Sequence, residues 1–322
     1  MNATATQMLG TGAADIARAA TLLSQGRLVA MPTETVYGLA ADACNDAAVA
    51  AIYTAKGRPS SNPLIVHVSD LAMAGDYVDF TPIARDMAQA FWPGPLTLVL
   101  PLRSGTRLSD RVTAGLSTLA VRMPETPAAR ALIQSLGRPL AAPSANPSGK
   151  VSPTTAAHVM AGLGGKIAAI IDAGPCQIGL ESTIIGFEGG PTLLRPGGLP
   201  HEAIERMLDQ PLRATSIVTD RPNAPGQLAS HYAPNAALRL NATSAEPNEV
   251  LLGFGPIAGT QTLSASGDLA EAAACLFDRL RSLDATGATR IAVAPIPDKG
   301  LGRAINDRLR RAAAPKLSPS SR

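Results

Sequence analysis

Aromatic residues are scarce in this sequence: they make up 3% of its 322 residues, and only one of them is tryptophan. A platform of aromatic side chains that stacks on bases is therefore not expected to dominate the function. Charged residues are also few, at 16%, and the formal net charge is only +3. Because release of counterions from a nucleic acid needs many basic contacts, strong non-specific binding to nucleic acids is not expected either.

Cysteines and long apolar runs are equally sparse. Cys44, Cys176 and Cys275 lie far apart, so the sequence encodes neither a disulfide framework nor a zinc site built on cysteines. No stretch of 18 apolar residues occurs, and no basic segment followed by an apolar run marks a secretory signal. The sequence therefore predicts a cytoplasmic protein with no membrane partner.

Hydrophobic residues make up 46% of the chain, and its 29 glycines and 27 prolines are dispersed. This composition excludes a disordered chain and a collagen. Over residues 12–210, short apolar runs alternate with segments whose apolar residues recur every three or four positions, which predicts an α/β unit with a mixed sheet. Residues 211–235 are rich in proline, alanine, serine and asparagine, and they read as a linker. A smaller α/β unit is expected over 236–316, followed by a frayed tail at 317–322.

Two cations, Lys56 and Arg58, stand on either side of Gly57 at the end of a predicted helix. If the chain is extended there, both side chains point to one side. Asn62 and His67 follow, and two cations together with amide donors suit a polyphosphate. An exposed basic turn is the alternative and, for the isolated tripeptide, the more frequent one. A lone histidine such as His67 is also more often a structural residue than a catalyst.

A second polar loop follows the predicted strand that ends at Pro32. It carries Thr33, Glu34 and Thr35. Because open α/β sheets bind their ligands at the carboxyl ends of strands, these side chains are candidates for a site. Hydroxyl groups that merely cap a turn are the alternative.

The loop after the strand predicted at Leu140–Ala142 is a third candidate. Ser144 and Asn146 are two residues apart, so their side chains can share one face. Ser152 and Pro153 suit the N-cap and the first position of the next predicted helix. Since a helix N-terminus also binds anions, a capping role and a phosphate-binding role are compatible.

Two arginines, Arg122 and Arg195, have apolar neighbours in sequence and are expected to be buried. A buried arginine needs a counter-charge, which predicts either an anionic ligand or an internal carboxylate, with Glu181 as the candidate. The P-loop, dinucleotide-binding and hydrolase-elbow motifs are absent, so none of these common sites is expected.

Six segments, in this order and spacing, resemble the YrdC-like threonylcarbamoyl-AMP synthases over about residues 15–210. They are PTETVYGLAADA, KGRPSSNPLIVHV, WPGPLTLVL, VRMP, PSANPSG and ESTII. The later segments PGQLASHYAP and GLGRAINDRLRRAA resemble the linker and the C-terminal domain of the two-domain form. The resemblance implies an α/β fold: a YrdC-like twisted mixed sheet with flanking helices, plus a smaller Rossmann-like α/β domain.

The resemblance also implies an activity, that of a nucleotidyltransferase. Members of the family make L-threonylcarbamoyladenylate from L-threonine, bicarbonate and ATP, and they release pyrophosphate. The product supplies the threonylcarbamoyl group of t6A at position 37 of tRNA. Mg2+ is expected to be held by the ATP phosphates rather than by the protein. The expected partners are the tRNA threonylcarbamoyl transferase machinery downstream and, in a weak contact, tRNA itself.

Matching the family's motifs to this sequence implies three groups of residues. The basic and polar tetrad around the nucleotide phosphates, taken as catalytic, is Lys56, Arg58, Ser144 and Asn146. The ATP-binding residues are Arg58, Asn62, Thr118, Ser144, Ser152, Arg195, His231 and Tyr232. The threonine-binding residues are Thr35, His67, Arg122, Ala142 and Ser182.

Two other functions on the same fold are alternatives. An RNA-binding or ribosome-maturation protein would use a basic concave surface, against which the low net charge and few aromatic residues argue. A carbamoyl-transfer domain of the hydrogenase-maturation kind would be accompanied by acylphosphatase and zinc-finger segments, and this sequence has no paired cysteines for the latter.

Overall fold

The structure, a computed structural model, describes residues 5–214 and 231–315. The predicted tail at 317–322 and residues 215–230 of the predicted linker lie outside this part. The described residues form two sheets, one with eleven strands and one with four. Helices pack against both, so the predicted α/β class is confirmed.

The first sheet and its helices are built by residues 7–214. Its strands are β1 (Gln7–Leu9), β2 (Val29–Met31), β3 (Gly38–Asp42), β4 (Ile65–His67), β5 (Leu96–Pro101), β6 (Thr118–Arg122), β7 (Leu140–Ala141), β8 (Ala169–Ile171), β9 (Thr183–Gly186), β10 (Thr192–Arg195) and β11 (Arg213–Ala214). Its helices are α1 (Ala13–Ser24), α2 (Asp46–Lys56), α3 (Leu71–Gly75), α4 (Pro82–Phe91), α5 (Asp110–Thr113), α6 (Pro127–Leu136), α7 (Ala156–Leu163) and α8 (His201–Leu208).

The strand order is β1-β8-β2-β3-β7-β4-β6-β5-β9-β10-β11, and the pairing is mixed. The central pair, β4 and β6, is parallel, whereas β7 runs antiparallel to β4 and β5 runs antiparallel to β6. Leu64, Val66 and Val68 on one face of β4 and its flanks join the main apolar core with Val121 of β6. Because side chains alternate along a strand, the opposite face of β4 and β6 is left for His67 and Arg122.

The second sheet is all parallel, with the order β12-β15-β13-β14. Its elements are β12 (Ala237–Arg239), β13 (Glu249–Gly253), β14 (Gln261–Thr262), α9 (Leu269–Ala285), β15 (Arg290–Val293) and α10 (Leu301–Ala313). Its apolar core is shared with the first sheet's loops, because Val36, Val151 and Leu180 belong to the same cluster as Phe277 and Ile305. The two sheets are thus joined by buried apolar surface.

Three local predictions differ from the structure. The helix predicted from Pro153 begins at Ala156, and its N-cap is Thr155, whose side chain accepts from the N–H of His158. The capping role given to Ser152 is therefore wrong. The chain is not extended between Lys56 and Arg58 either: Lys56 ends α2, and Gly57 adopts the left-handed conformation with φ of 61°.

The loop before β9 packs closely against α9 at Gly179. A methyl group added there would lie 2.5 Å from the carbonyl oxygen of Ala273 and 2.6 Å from that of Ala274, both in α9. Gly179 also has φ of 74°, which side chains disfavour. Only glycine lets this loop pack directly on the helix backbone.

We expect Gly179→Ala to lower the melting temperature clearly more than Gly115→Ala. Gly115 also has positive φ, at 83°, but a methyl group there would meet nothing within 4 Å. Gly115→Ala, the control, should therefore lower the free energy of unfolding by about 1 kcal/mol through the backbone alone. Gly179→Ala should lower it by about 2 kcal/mol more, because of the steric conflict. Thermal unfolding followed by circular dichroism checks this, and equal shifts for the two variants would contradict the close contact.

Candidate active site

A cavity lies on the face of β4 and β6 that carries His67 and Arg122, and its empty space, including the open solvent at its mouth, is about 570 Å³. Most of the residues implied by the resemblance line it. They are Thr35, Arg58, His67, Arg122, Ala142, Ser144, Ser182, Arg195, His231 and Tyr232. The remaining five, Lys56, Asn62, Thr118, Asn146 and Ser152, lie outside its lining.

The parallel register of β4 and β6 gives the cavity two ends. His67 at the end of β4 lies opposite Arg122 at the end of β6, and Ile65 lies opposite Ala120. Thr118 begins β6, four residues before Arg122, so about 13 Å of strand separates them. Because β4 and β6 are parallel, Thr118 begins β6 at the end where β4 begins, and Arg58 Nη2 donates to the carbonyl of Pro63, two residues before β4. We call these ends the Arg122 end and the Arg58 end.

At the Arg122 end, the guanidinium is held by protein groups on one edge. Arg122 is 3% exposed. Its Nη2 donates to Glu34 Oε1, and its Nε donates to the carbonyl of Gly94 at 3.3 Å. The internal carboxylate that Arg122 requires is thus Glu34, and the assignment of Glu181 to Arg122 is wrong. The physical requirement was correct, but sequence alone could not say which carboxylate meets it.

His67 lies beside this arginine and is buried as well. Burial, and second the nearby charge of Arg122, lower the pKa of His67 to about 3. The imidazole is therefore neutral at physiological pH. Its Nδ1 has no hydrogen-bond partner within the described residues, and the ring lines the cavity. Since buried polar atoms are nearly always paired, this nitrogen is a place for a ligand atom.

Ser182 and Arg195 join the Arg122 end to the middle of the cavity. Ser182 Oγ bonds with Thr97 Oγ1 at 2.7 Å and accepts from Arg195 Nη2 at 3.1 Å. Arg195 also donates to the carbonyl of Ser182. A residue implied for threonine and one implied for ATP are therefore in direct contact.

At the Arg58 end, the cation is held by dipoles rather than by a carboxylate. Arg58 donates to Asn62 Oδ1 at 2.7 Å and to the carbonyl groups of Asn62 and Pro63. Burial lowers the pKa of Arg58 to about 10, so the group stays charged at neutral pH. Asn62 is thus brought into the site through Arg58 rather than by lining the cavity.

Lys56 and Asn146 lie behind the cavity wall. Lys56 is 4% exposed, and its Nζ donates to the carbonyl groups of Ser144 and Asn146, each at 2.5 Å. Burial, and then the charge of Arg58, lower the pKa of Lys56. Asn146 Nδ2 donates to the carbonyl groups of Pro147 and Lys150. Lys56 therefore fixes the loop that presents Ser144 to the cavity.

Glu181 is engaged by the second sheet's helix α10. Its Oε2 accepts from Arg308 Nε at 2.7 Å, and its Oε1 accepts from Ser152 Oγ at 2.5 Å. Arg308 is 1% exposed and also donates to Asp307 and to the carbonyl of Pro196. Ser152 thus contacts the site through Glu181. Sequence reasoning missed Arg308, which lies 127 residues from its partner in the chain.

His231 and Tyr232 line the cavity from the C-terminal side of the chain. Tyr232 stacks on Phe277 of α9 with ring centroids 5.8 Å apart, and Arg308 lies over its ring. Its φ of 63° is left-handed, a strained backbone for tyrosine that the surrounding contacts hold in place. Burial and the neighbouring cations, Arg58 first, lower the pKa of His231, whose Nδ1 is also unpartnered within the described residues.

Comparison with known proteins agrees with this geometry. Residues 21–197 match the family model Sua5_yciO_yrdC, described as telomere recombination, and residues 199–314 match the threonylcarbamoyl-AMP synthase C-terminal domain. The threonylcarbamoyl-AMP synthase of Bacillus subtilis (strain 168) is 44% identical over 336 residues, which cover 97% of this chain and 96% of the relative. The chain belongs to the two-domain threonylcarbamoyl-AMP synthases. The predicted family, enzyme class and function are confirmed.

Solved structures support the same conclusion for the fold of this synthase. The crystal structure of Pyrococcus abyssi Sua5 complexed with L-threonine has a TM-score of 0.88 and 39% identity, and the match covers 96% of this chain and 98% of that one. Escherichia coli YciO, at 21% identity and a TM-score of 0.54, matches 60% of this chain and 96% of its own, which shows the fold alone.

Two further findings concern the described part of the synthase. It contains no cluster of three or more histidine, cysteine, aspartate or glutamate side chains able to hold a metal ion. None of its helices is both long enough and apolar enough to cross a membrane.

The neutral state of His67 predicts a pH dependence of stability. The folded pKa of about 3 lies below the ordinary value of 6.5, so the unfolded chain binds the proton first on acidification. The contribution of His67 to the free energy of unfolding is fully present above pH 6.5 and is lost as the pH falls towards 3. Between pH 7.5 and 5.5, the free energy of unfolding should fall by about 1 kcal/mol more in the wild type than in His67→Gln. Urea denaturation at both pH values measures this, and parallel losses would mean that His67 is protonated in the folded state.

Proposed function

We propose that the cavity binds L-threonine at the Arg122 end and ATP at the Arg58 end, and that the enzyme joins them with bicarbonate. The products are L-threonylcarbamoyladenylate and pyrophosphate, and the reaction is the first step of t6A formation at position 37 of tRNA. The observation that carries the proposal is the distribution of charge. Arg122 is paired with Glu34, whereas no described carboxylate pairs with Lys56 or Arg58.

This charge distribution assigns the two ends. The neutralised Arg122 end suits a small zwitterion, whose carboxylate pairs with the arginine while its amine meets neutral acceptors such as His67 Nδ1. Thr35, Ala142 and Ser182 complete that end. The Arg58 end has two uncompensated cations, which suits the spread negative charge of a triphosphate.

Five of the eight ATP-binding residues line the cavity, and Asn62, Thr118 and Ser152 lie outside its lining. Ser144 presents its polar groups beside Lys56, and Asn62 orients Arg58. Arg195 lies between the two ends, next to Ser182, where the α-phosphate and the carbamate would meet. Ser152, together with the covering residues His231 and Tyr232, completes this set, and Thr118 lies nearest the Arg58 end.

The chemistry needs positioning more than a covalent nucleophile. The threonine amine takes up the carbon of bicarbonate, with loss of water, to form a carbamate. A carbamate oxygen then attacks the α-phosphate of ATP, and the bond to pyrophosphate breaks. Arg58, Arg195 and the loop fixed by Lys56 supply positive charge where negative charge spreads during this step.

Mg2+ enters this scheme with ATP, as part of the nucleotide substrate. Among the described residues, the one carboxylate that lines the cavity is Glu181, which is already bonded to Arg308 and Ser152. The described residues therefore offer no carboxylate cage, and the phosphates with their waters would hold the ion. Mg2+ would supply charge neutralisation to the phosphates.

The order of the domains along the chain supports a cavity that is covered by a lid. We assign residues 12–210 to the catalytic domain, 211–235 to a linker that acts as a lid, and 236–316 to the C-terminal domain. Tyr232 is fixed between Phe277 and Arg308 of the C-terminal domain, and it lines the cavity. A carbamate hydrolyses readily, so excluding bulk water protects it.

The product then leaves for other proteins. A threonylcarbamoyl transferase that modifies tRNA must consume the adenylate, because the mixed anhydride is reactive and short-lived in water. We place the enzyme in the cytoplasm, with a weak contact to tRNA as its nucleic-acid interaction, in keeping with a net charge of only +3.

Arg58→Ala should lower kcat/KM for ATP by about 100-fold, because it removes a charge that neutralises the phosphates. The assay is pyrophosphate release from ATP with Mg2+, run with and without L-threonine and bicarbonate, and with L-serine as a control substrate. Arg58→Lys should lose less, since it keeps the charge but not the guanidinium fork.

Arg111→Ala is the matched control. Arg111 has a side chain that is 52% exposed and pairs with Asp46, which begins the helix that ends beside Arg58. Its loss should leave pyrophosphate release unchanged. Near-wild-type turnover in Arg58→Ala would refute the ATP site. Absence of threonine-dependent release by the wild type would refute the reaction itself, and RNA binding would then be tested.

A further inference from the structure

Glu34 lies in the polar loop that carries Thr33 and Thr35, yet it is absent from the residues assigned above to either substrate. The side chain is 4% exposed and does not line the substrate cavity. It lies on the other side of Arg122, where it lines a second, larger cavity with Glu125 and Cys176. Glu34 therefore separates the substrate cavity from a second space behind it.

Three segments of the chain are tied together by this one residue. Its Oε1 accepts from Arg122 Nη2, and its Oε2 accepts from the backbone N–H of Glu125 at 3.0 Å. Its own carbonyl accepts from the N–H of Ile178 at 2.9 Å. Both carboxylate oxygens are thus used by donors, and the side chain has a single orientation that satisfies both.

This arrangement decides which edge of Arg122 is left for a ligand. The guanidinium has a side edge, formed by Nε and Nη2, and an end edge, formed by Nη1 and Nη2. Gly94 accepts from Nε, and Glu34 accepts from Nη2, which belongs to both edges. Nη1 makes no hydrogen bond to any described residue, and Arg122 lines the substrate cavity. A carboxylate in the cavity would therefore bind through Nη1.

We propose that Glu34 is a positioning residue for recognition of the amino acid carboxylate. It holds the guanidinium of Arg122 so that Nη1 faces the substrate, and it neutralises the arginine when no amino acid is bound. This inference rests on the proposed function, because it takes the substrate at this end to be L-threonine. Glu34 touches no substrate atom itself and acts through Arg122.

The test is Glu34→Gln, which keeps the shape of the side chain and removes its charge. An amide has one acceptor oxygen and one donor nitrogen, so it satisfies either Arg122 or the N–H of Glu125 but not both. We expect KM for L-threonine to rise about tenfold while KM for ATP stays within about twofold. Glu125→Gln is the matched control: its exposed side chain lines the same second cavity, and the change in charge is identical.

A double-mutant cycle separates positioning from a merely structural role. If Glu34 acts through Arg122, adding Glu34→Gln to Arg122→Gln should cause little further rise in KM for L-threonine. A general loosening of the loop would instead multiply the two effects and would raise KM for ATP as well. Melting temperatures of all variants, each with and without ATP, show that the nucleotide site is still formed.

The outcomes distinguish this inference from the proposed function. If the wild type shows threonine-dependent pyrophosphate release and Glu34→Gln keeps the wild-type KM for L-threonine, the positioning role is refuted and the function stands. Equal rises in KM for both substrates, or multiplicative effects in the double variant, would also refute it. Absence of threonine dependence in the wild type would refute the proposed function itself.

Discussion

Burial of positive charge is the constraint on which the rest of this structure depends. Three arginines, Arg58, Arg122 and Arg195, line one cavity, and Lys56 lies directly behind its wall. Charges taken out of water are costly unless they are paired or hydrogen-bonded. The buried cations are stabilised in different ways: Arg122 pairs with a carboxylate, whereas Lys56 and Arg58 donate hydrogen bonds only to amide and carbonyl oxygens. The positive charge that is left over is what makes the cavity a site for an anion.

The smaller sheet takes part in the same charge balance. Arg308 of α10 reaches Glu181 in the large sheet's loop, and Arg281 of α9 donates to the carbonyl groups of Val151 and Ser152. The two loops that carry Ser152 and Ser182 are therefore fixed from outside the large sheet. Tyr232 rests on Phe277 from the same side. The C-terminal part of the chain thus contributes order to loops of the site rather than a new reactive group.

Sequence reasoning reached the parts of this structure that local patterns control. Sequence patterns predict strands at Leu96–Leu100 and Thr118–Arg122 and a helix at Pro127–Leu136; the structure has all three, with the first strand extended to Pro101. The strand Gly38–Asp42 was missed, because its glycine, alanines and aspartate have weak strand propensity and only its buried neighbours make it a strand.

Pairings across the chain were harder to predict than elements. Elementary electrostatics requires a carboxylate beside a buried arginine. Three acidic residues near the site meet that requirement, and the sequence alone does not distinguish among Glu34, Glu181 and Asp307. Which of them reaches Arg122 depends on how loops 88 residues apart are folded together. The site residues were predicted by matching sequence motifs, whereas the contacts that orient them are visible only in the folded structure.

In the proposed binding mode, the uneven charge balance also explains how one cavity binds two substrates at separate ends. Arg122 with Glu34 presents a neutral pair, so it gains from a ligand that carries both a carboxylate and an amine and gains little from a polyanion. Lys56 and Arg58 present charge without a counter-ion, so a triphosphate stabilises them and a zwitterion does not. If the two ends were equally positive, the triphosphate would compete for both. In the proposed binding mode, neutralising one end with an internal carboxylate directs each substrate to its own end, and the carbamate and the α-phosphate would meet between them, beside Arg195 and Ser182.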